Sequence, residues 1–334
     1  MNYASKDIHA CKISNGRKAN FTASCIAARN NRGAATTARI TTVLNDLREQ
    51  TGIGTIKKID PEISEQYANS LLNRVDEEKI NPGTAVEYIS AYNVVCRDQG
   101  KPELCIKGSE WGFKKESVSI KDKSNNMEDE KNYRAALAEM GKADPWYQNL
   151  YYSRYLQTDI GDRARESYAT KIADKALDSD KVHLGKEDCT KNSRDRDVPI
   201  TKDSQRAILK EAQEWVKSQG QRSLIPNECS LKEWKNFANK TLVQYNKENC
   251  TSLNNHGNRH YYAHERYKEL WQKKGYDIKC PAEKGMERPE WKEYAMQETG
   301  LDKKELDNLE KEIRLEVSEN LGHSRIDITK TYLG

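Results

Sequence analysis

Apolar residues recur at helical spacing through most of the chain. Ile40, Val43, Leu44 and Leu47 follow the i, i+3, i+4, i+7 rule and predict a helix that stops at Thr51-Gly52. Ile63, Tyr67, Leu71 and Val75 predict a second, opening after Asp60-Pro61. Asn81-Pro82 reads as the N-cap and first turn of a third, with Ala85, Ile89, Tyr92 and Cys96 inward and Gly100 as its stop. Before these, residues 1–33 are polar and basic with little period, and predict an N-terminal arm. Residues 114–130 hold only two aliphatic side chains, Val118 and Ile120, a composition that suits an interdomain linker, narrowed here to 121–130. Beyond it, periodicity predicts helices near 130–141, 145–157, 162–177, 202–218, 231–246, 256–274 and 302–321. The last carries Leu306, Leu309, Ile313, Val317 and Leu321 as its stripe. The segment 181–200 breaks the helical period. Val182 and Leu184 sit two apart, and Val198-Pro199-Ile200 follows the polar run Asn192–Asp195, as in a β-hairpin. The expectation is a mainly α protein with a small β-sheet (α+β): arm 1–33, helical domain 34–120, linker 121–130 and a larger domain 131–334.

Composition narrows the class. Charged residues make up 32% of the 334 and hydrophobic ones 36%, and no window approaches the roughly 20 apolar residues of a spanning helix. The first thirty residues, with Lys6, Asp7, Lys12, Arg17, Lys18 and Arg29, contain no apolar run of a secretory signal. The eight cysteines never come closer than nine positions, so no C-x-x-C exists, and reduced thiols in a cytoplasmic protein are expected. Net charge is only +4, but residues 1–58 hold ten Lys/Arg against three Asp/Glu, whereas residues 124–334 are balanced at 37 of each. A basic N-terminus beside a neutral remainder points to a polyanionic partner such as DNA. Lys12, Arg17, Lys18, Arg29, Arg32 and Arg39 are the candidate contacts, joined by Arg194 and Arg196 of the hairpin.

The chain's last segment bears the most chemistry: Leu321-Gly322-His323, then Tyr332 nine residues on. His256-Gly257-Asn258-Arg259 puts a His and an Arg three apart, on one helix face. Gly161-Asp162-Arg163-Ala164-Arg165-Glu166 places an Arg three before a carboxylate, with Arg165 a rival for its role. Lys191 stands eight residues before Pro199 in the hairpin turn, with Lys186 as an earlier rival. In this order, Arg, Lys, His, Arg, His, Tyr, the pattern resembles the tyrosine recombinases, the site-specific DNA integrases, over about residues 130–334. The familiar form has an apolar residue just before the second Arg, where this chain has Asn258, and that departure puts the local packing in question. The interval Arg259 to His323 spans 64 residues, more than typical members use. The phrasing resembles integrases of prophages and integrative elements in bacteria. The surplus, 268–320, is expected to serve assembly or DNA-end control.

The resemblance implies a small helical domain holding the far side of the DNA and a catalytic domain that cuts and rejoins a phosphodiester, integrating or excising a mobile element. Tyr332 would attack phosphorus and form a 3′-phosphotyrosine, conserving the bond energy without ATP. Arg163 and Arg259 would offer guanidinium forks to the non-bridging oxygens, with Glu166 in support. Lys191 would protonate the leaving 5′-oxygen, and His256 and His323 would serve the phosphate and the Tyr proton. No cofactor or metal is implied, since two arginines neutralise the charge. The implied partners are double-stranded attachment-site DNA, a homotetramer on two duplexes and an accessory directionality factor; the implied location is the nucleoid. Three other readings compete: a type IB topoisomerase-like strand transferase, a DNA-binding regulator on a disabled scaffold, and a zinc hydrolase using the His256/His260/His264 stripe at i, i+4, i+8. The hydrolase lacks a general base, because Gly257 stands where H-E-x-x-H requires Glu.

Overall fold

The computed structural model describes residues 11–113, 121–190 and 194–334. The chain divides into two compact units, Met1–Ser117 and Val118–Gly334.

The first unit holds α1 (Gly16–Arg29), α2 (Ala34–Thr51), α3 (Pro61–Asp76) and α4 (Pro82–Asp98). Asp60 and Asn81 cap α3 and α4 with their side chains, each followed by Pro in the first turn. Gly52, at φ +72°, ends α2. The core joins Ile40, Val43, Leu44 and Leu47 to Tyr67, Leu71, Ile89 and Tyr92. The expected N-terminal arm is corrected over 16–29, which form a helix capped by Asn15 and packed on α2. Its inward residues include Ala19, Ala23 and Ile26. Small side chains let two helices approach closely but make a weak apolar stripe, so the period is faint in sequence.

The second unit contains α5 (Met127–Gly141), α6 (Pro145–Asp159), α7 (Ala164–Ala169), β1 (Lys181–Leu184), β2 (Arg196–Pro199), α8 (Asp203–Ser218), α9 (Leu231–Asn249), α10 (Asn255–Lys273), α11 (Pro281–Lys284), α12 (Arg288–Thr299), α13 (Lys303–Asn320) and α14 (Lys330–Leu333). β1 and β2 pair antiparallel, Lys181 opposite Pro199 and Leu184 opposite Arg196. α6 packs on α5, α8 and α10, and α13 packs on α10, α12 and β2. The stripe of α13 faces inward as expected, with Leu306, Ile313 and Val317 buried.

Two expectations change. The single helix 162–177 is instead the short α7, followed by a 3-10 turn at Ile172–Asp174. Buried Asp188 explains the break: it accepts from the Lys171 amide (2.9 Å) and from Lys175 Nζ (2.5 Å), drawing the chain out of the helical path. The linker 121–130 is ordered at its second end. Residues 127–130 open α5, and Glu130 is buried in an ion pair with Arg154. No helix among the described residues is long and apolar enough to cross a membrane, and all eight cysteines are free.

Candidate active site

Gly161 precedes the first candidate segment at φ +70°, where a Cβ would lie 2.4 Å from the Tyr262 ring. Only glycine fits both the backbone and the space. The next turn starts α7 with Arg163 as N-cap, and Glu166 reaches back from the third helical position. Glu166 Oε2 accepts from the Arg163 amide at 3.0 Å and Oε1 from Arg163 Nη1 at 2.7 Å. Burial by itself would raise the Glu166 pKa, but Arg196, Arg163 and Arg259 outweigh it and hold it down at about 2. A permanently charged Glu166 thus aims the Arg163 fork, whose Nη2 lies 3.2 Å from His323 Nε2. Arg165, the rival, is exposed.

Asn254 caps α10, its Oδ1 accepting from the amides of His256 (3.0 Å) and Gly257 (2.7 Å). One turn on, Arg259 is fully buried while His256 stays exposed. Arg259 donates through Nε to the Tyr332 hydroxyl at 3.2 Å, and through its two terminal nitrogens to the carbonyls of Gly161 and Leu321. Burial, together with nearby Arg196 and Arg163, pulls its pKa down to about 10, so it remains a cation at neutral pH. Asn258 is half-accommodated: its Nδ2 is buried without a partner among the described residues. Its side chain is buried and its Oδ1 accepts from Asn125 Nδ2 at 2.5 Å. Asn125 Nδ2 also donates to the Asn254 carbonyl at 2.8 Å.

After α13 the chain turns through Gly322, and the His323 amide donates to the Ser318 carbonyl at 2.8 Å. Tyr332 sits in α14, 5% exposed, with ring centres of His260, His256 and His323 at 4.8, 5.7 and 6.3 Å. Its backbone carbonyl accepts from His264 Nε2 at 2.7 Å. Burial, reinforced by His256 and His264, drops the His260 pKa to about 3, so this ring is neutral. Beside these groups opens a cleft of about 320 Å³ lined by Arg163, Arg194, Gly322, His323, Ser324, Arg325 and Ile328. A phosphate there would meet guanidinium and imidazole donors, with the Tyr332 hydroxyl held by Arg259.

Five of the six residues singled out for catalysis therefore converge: Arg163, His256, Arg259, His323 and Tyr332. Lys191 lies outside the described residues, and its rival Lys186 is exposed in a 3-10 turn. Of the proposed DNA contacts, Lys12, Arg17, Lys18, Arg32, Arg39 and Arg194 are exposed. Arg29 is engaged with Asp98 (2.5 Å). Arg196 is corrected: its side chain is 2% exposed and ion-paired to Asp162 and Glu166, so it cannot reach DNA. The three imidazoles of the stripe do not gather as metal ligands among the described residues. His264 instead has Cys280 and Glu283 as ligand-type neighbours, while its Nε2–H is engaged by the Tyr332 carbonyl. The zinc-hydrolase alternative falls with the stripe. Sequence reasoning missed Asn125 and Arg154, and gave Arg196 and His264 other roles. Each is a polar residue whose partner lies far along the chain, and no local pattern signals it.

No protein-family model matches the chain, and no curated protein does. Solved structures do match. The Tn1549 transposon integrase in complex with transposon right end DNA aligns at TM-score 0.54 with 13% identity, over 97% of this chain and 95% of that one. The same integrase with a circular intermediate DNA aligns at TM-score 0.56 with 13% identity and the same coverage. The fold is that of these Tn1549 integrase structures. At this identity the likeness establishes architecture; the case for chemistry rests on the site.

Proposed function

We propose that this chain is a site-specific DNA recombinase that cuts and rejoins DNA through a phosphotyrosine on Tyr332, and that it integrates or excises a mobile element. The observation that carries the reading is the meeting of Arg163, His256, Arg259 and His323 around a Tyr hydroxyl already bonded to Arg259. Transesterification needs a nucleophile in line with phosphorus and fixed donors for the non-bridging oxygens. Arg163 offers its planar fork to those oxygens, and Arg259, its terminal nitrogens engaged by the Gly161 and Leu321 carbonyls, places its cation and Nε at the Tyr332 hydroxyl. His256, exposed at the start of α10, takes the Tyr proton; His323 donates to the phosphate; Lys191 protonates the leaving 5′-oxygen. Exposed Lys12, Arg17, Lys18, Arg32 and Arg39 contact backbone phosphates, and the working assembly is a tetramer on two duplexes.

The test is covalent capture. The protein is incubated with fragmented DNA of its own host, denatured, and the fragments still attached are sequenced. Those sites are then rebuilt as nicked suicide substrates. Wild-type protein should accumulate an adduct mapping to Tyr332. Recovery of no covalent DNA, or of an adduct on another residue, would sink the assignment. Strand exchange between two such sites separates a recombinase from an enzyme that only relaxes supercoils.

A further inference from the structure

Arg196 occupies a position where a strand calls for an apolar residue. Along β2, Asp197 faces outward to Lys181 (2.5 Å) and His183 (2.9 Å), while Arg196 and Val198 point into the domain. A buried guanidinium is tolerated only when its donors are taken up. Here Nη2 donates to Asp162 Oδ1 at 2.8 Å and lies 3.1 Å from Glu166 Oε2, and Nη1 reaches the Leu321 carbonyl at 3.4 Å, while Nε has no partner among the described residues. The Leu321 carbonyl also accepts from Arg259. Gly322, at φ +70°, lies over the same side chain: a Cβ there would sit 3.1 Å from Arg196 Cδ. One side chain thus touches the segment before α7, the strand leading from the hairpin turn, and the turn that delivers His323.

We propose that Arg196 is a positioning residue of the active site, locking residues 161–166 and the Leu321–Gly322 turn to β2 so that Arg163 and His323 face the same phosphate. This rests on the proposed function for its chemistry. Two buried carboxylates, Asp162 and Glu166, stand close to three guanidiniums, those of Arg163, Arg196 and Arg259. Arg196 is the one committed to Asp162, and it shares Glu166. Without it, Arg163 is the nearest mobile cation able to turn inward, and doing so would take its Nη2 away from His323 and the cleft. The Gly322 turn would also lose the side chain beneath it.

The experiment compares wild type with Arg196→Met, Asp162→Asn/Arg196→Met and Arg196→Lys on the nicked substrate, reading adduct-forming rate, DNA binding and the His323 ring resonances by NMR. Arg196→Met by itself leaves Asp162 unpaired and can fail to fold; the double variant removes both charges at similar volume. Arg196→Lys keeps the charge but has no fork to hold Asp162, Glu166 and the Leu321 carbonyl together. The double variant and Arg196→Lys should bind DNA nearly as well as wild type. Each should form adduct about 100-fold more slowly, the scale of a 1 Å misplacement, with the His323 resonances shifted. Wild-type rates and resonances in whichever of the two variants folds would overturn the proposal and leave Arg196 a mere counterion. If wild type itself forms no adduct, the proposed function fails instead, and the His323 resonances alone decide the positioning role.

Discussion

The two units bury very different material. Among the described residues of the first, Thr22 is the polar residue that is fully buried, and the most enclosed carboxylate is Asp98, its side chain 3% exposed and paired with the partly exposed Arg29. The second buries Glu130, Arg154, Asp162, Glu166, Asp188, Arg196, Arg259, His260, His264, Arg266, Glu310 and Arg314. An apolar core needs only volume and pattern, and tolerates substitution that preserves both. A buried polar network is weak evidence for stability, because desolvation offsets most of the Coulombic gain. On the proposed function its value is geometric: it holds guanidiniums and imidazoles still where a phosphate would arrive. The first unit presents charge on a simple scaffold; the second gives up stability for preorganisation.

The sharpest break of this comparison is Tyr332→Phe. It keeps the ring and its packing and removes only the hydroxyl that accepts from Arg259. Adduct formation should vanish while DNA binding and the thermal transition persist, as a denaturing gel and a melting curve would show. Next in size is the loss of one network partner. Arg154 and Glu130 are 1% and 0% exposed, and Arg154→Met should destabilise the second unit by about 3–5 kcal/mol by stranding a buried carboxylate. In the first unit the exposed pair Arg39–Glu87, 52% and 59% exposed, provides the contrast. Arg39→Ala should move stability by less than about 1 kcal/mol. Equal effects in denaturant melts would dissolve the distinction drawn above.

Acid should also separate the units. The folded pKa of His260 is about 3, below its ordinary value of about 6.5. Its depressed pKa means the unfolded chain takes up the proton first. Stability from this group is therefore complete above pH 6.5 and is lost as pH falls toward 3. His260→Gln should flatten the pH dependence of the second unit's melting temperature across that window. A slope identical to wild type would show that the ring is not desolvated as described. The smallest effect belongs to exposed charge. Replacing Arg17 and Lys18 together by Ala should leave melting unchanged and lower the slope of log K against log salt by about 0.9 for each phosphate no longer neutralised. An unchanged slope would remove these residues from the DNA surface.

Much of this molecule is local. Helix starts at Asp60-Pro61 and Asn81-Pro82, stops at Gly52 and Gly322, the stripe of α13 and the two-residue alternation of the hairpin all follow from short-range sterics and hydrogen bonding, and they were legible in the sequence. Arg163, His256, Arg259, His323 and Tyr332 were singled out by an order and spacing that resemble a known family, and the fold brings them together. The tertiary structure alone decided which polar residues hold those groups in place. Arg196 reads as a hairpin cation until Asp162, 34 positions earlier, and Leu321, 125 later, are brought to it. His264 reads as one of three stripe imidazoles until the Tyr332 carbonyl, 68 positions on, accepts a hydrogen bond from its Nε2. Asn258 reads as a misfit until Asn125, 133 positions earlier, donates to its Oδ1. Periodicity records which face of an element is apolar. It holds no record of which distant donor meets which acceptor, since that pairing exists only once the elements have packed and water has been excluded.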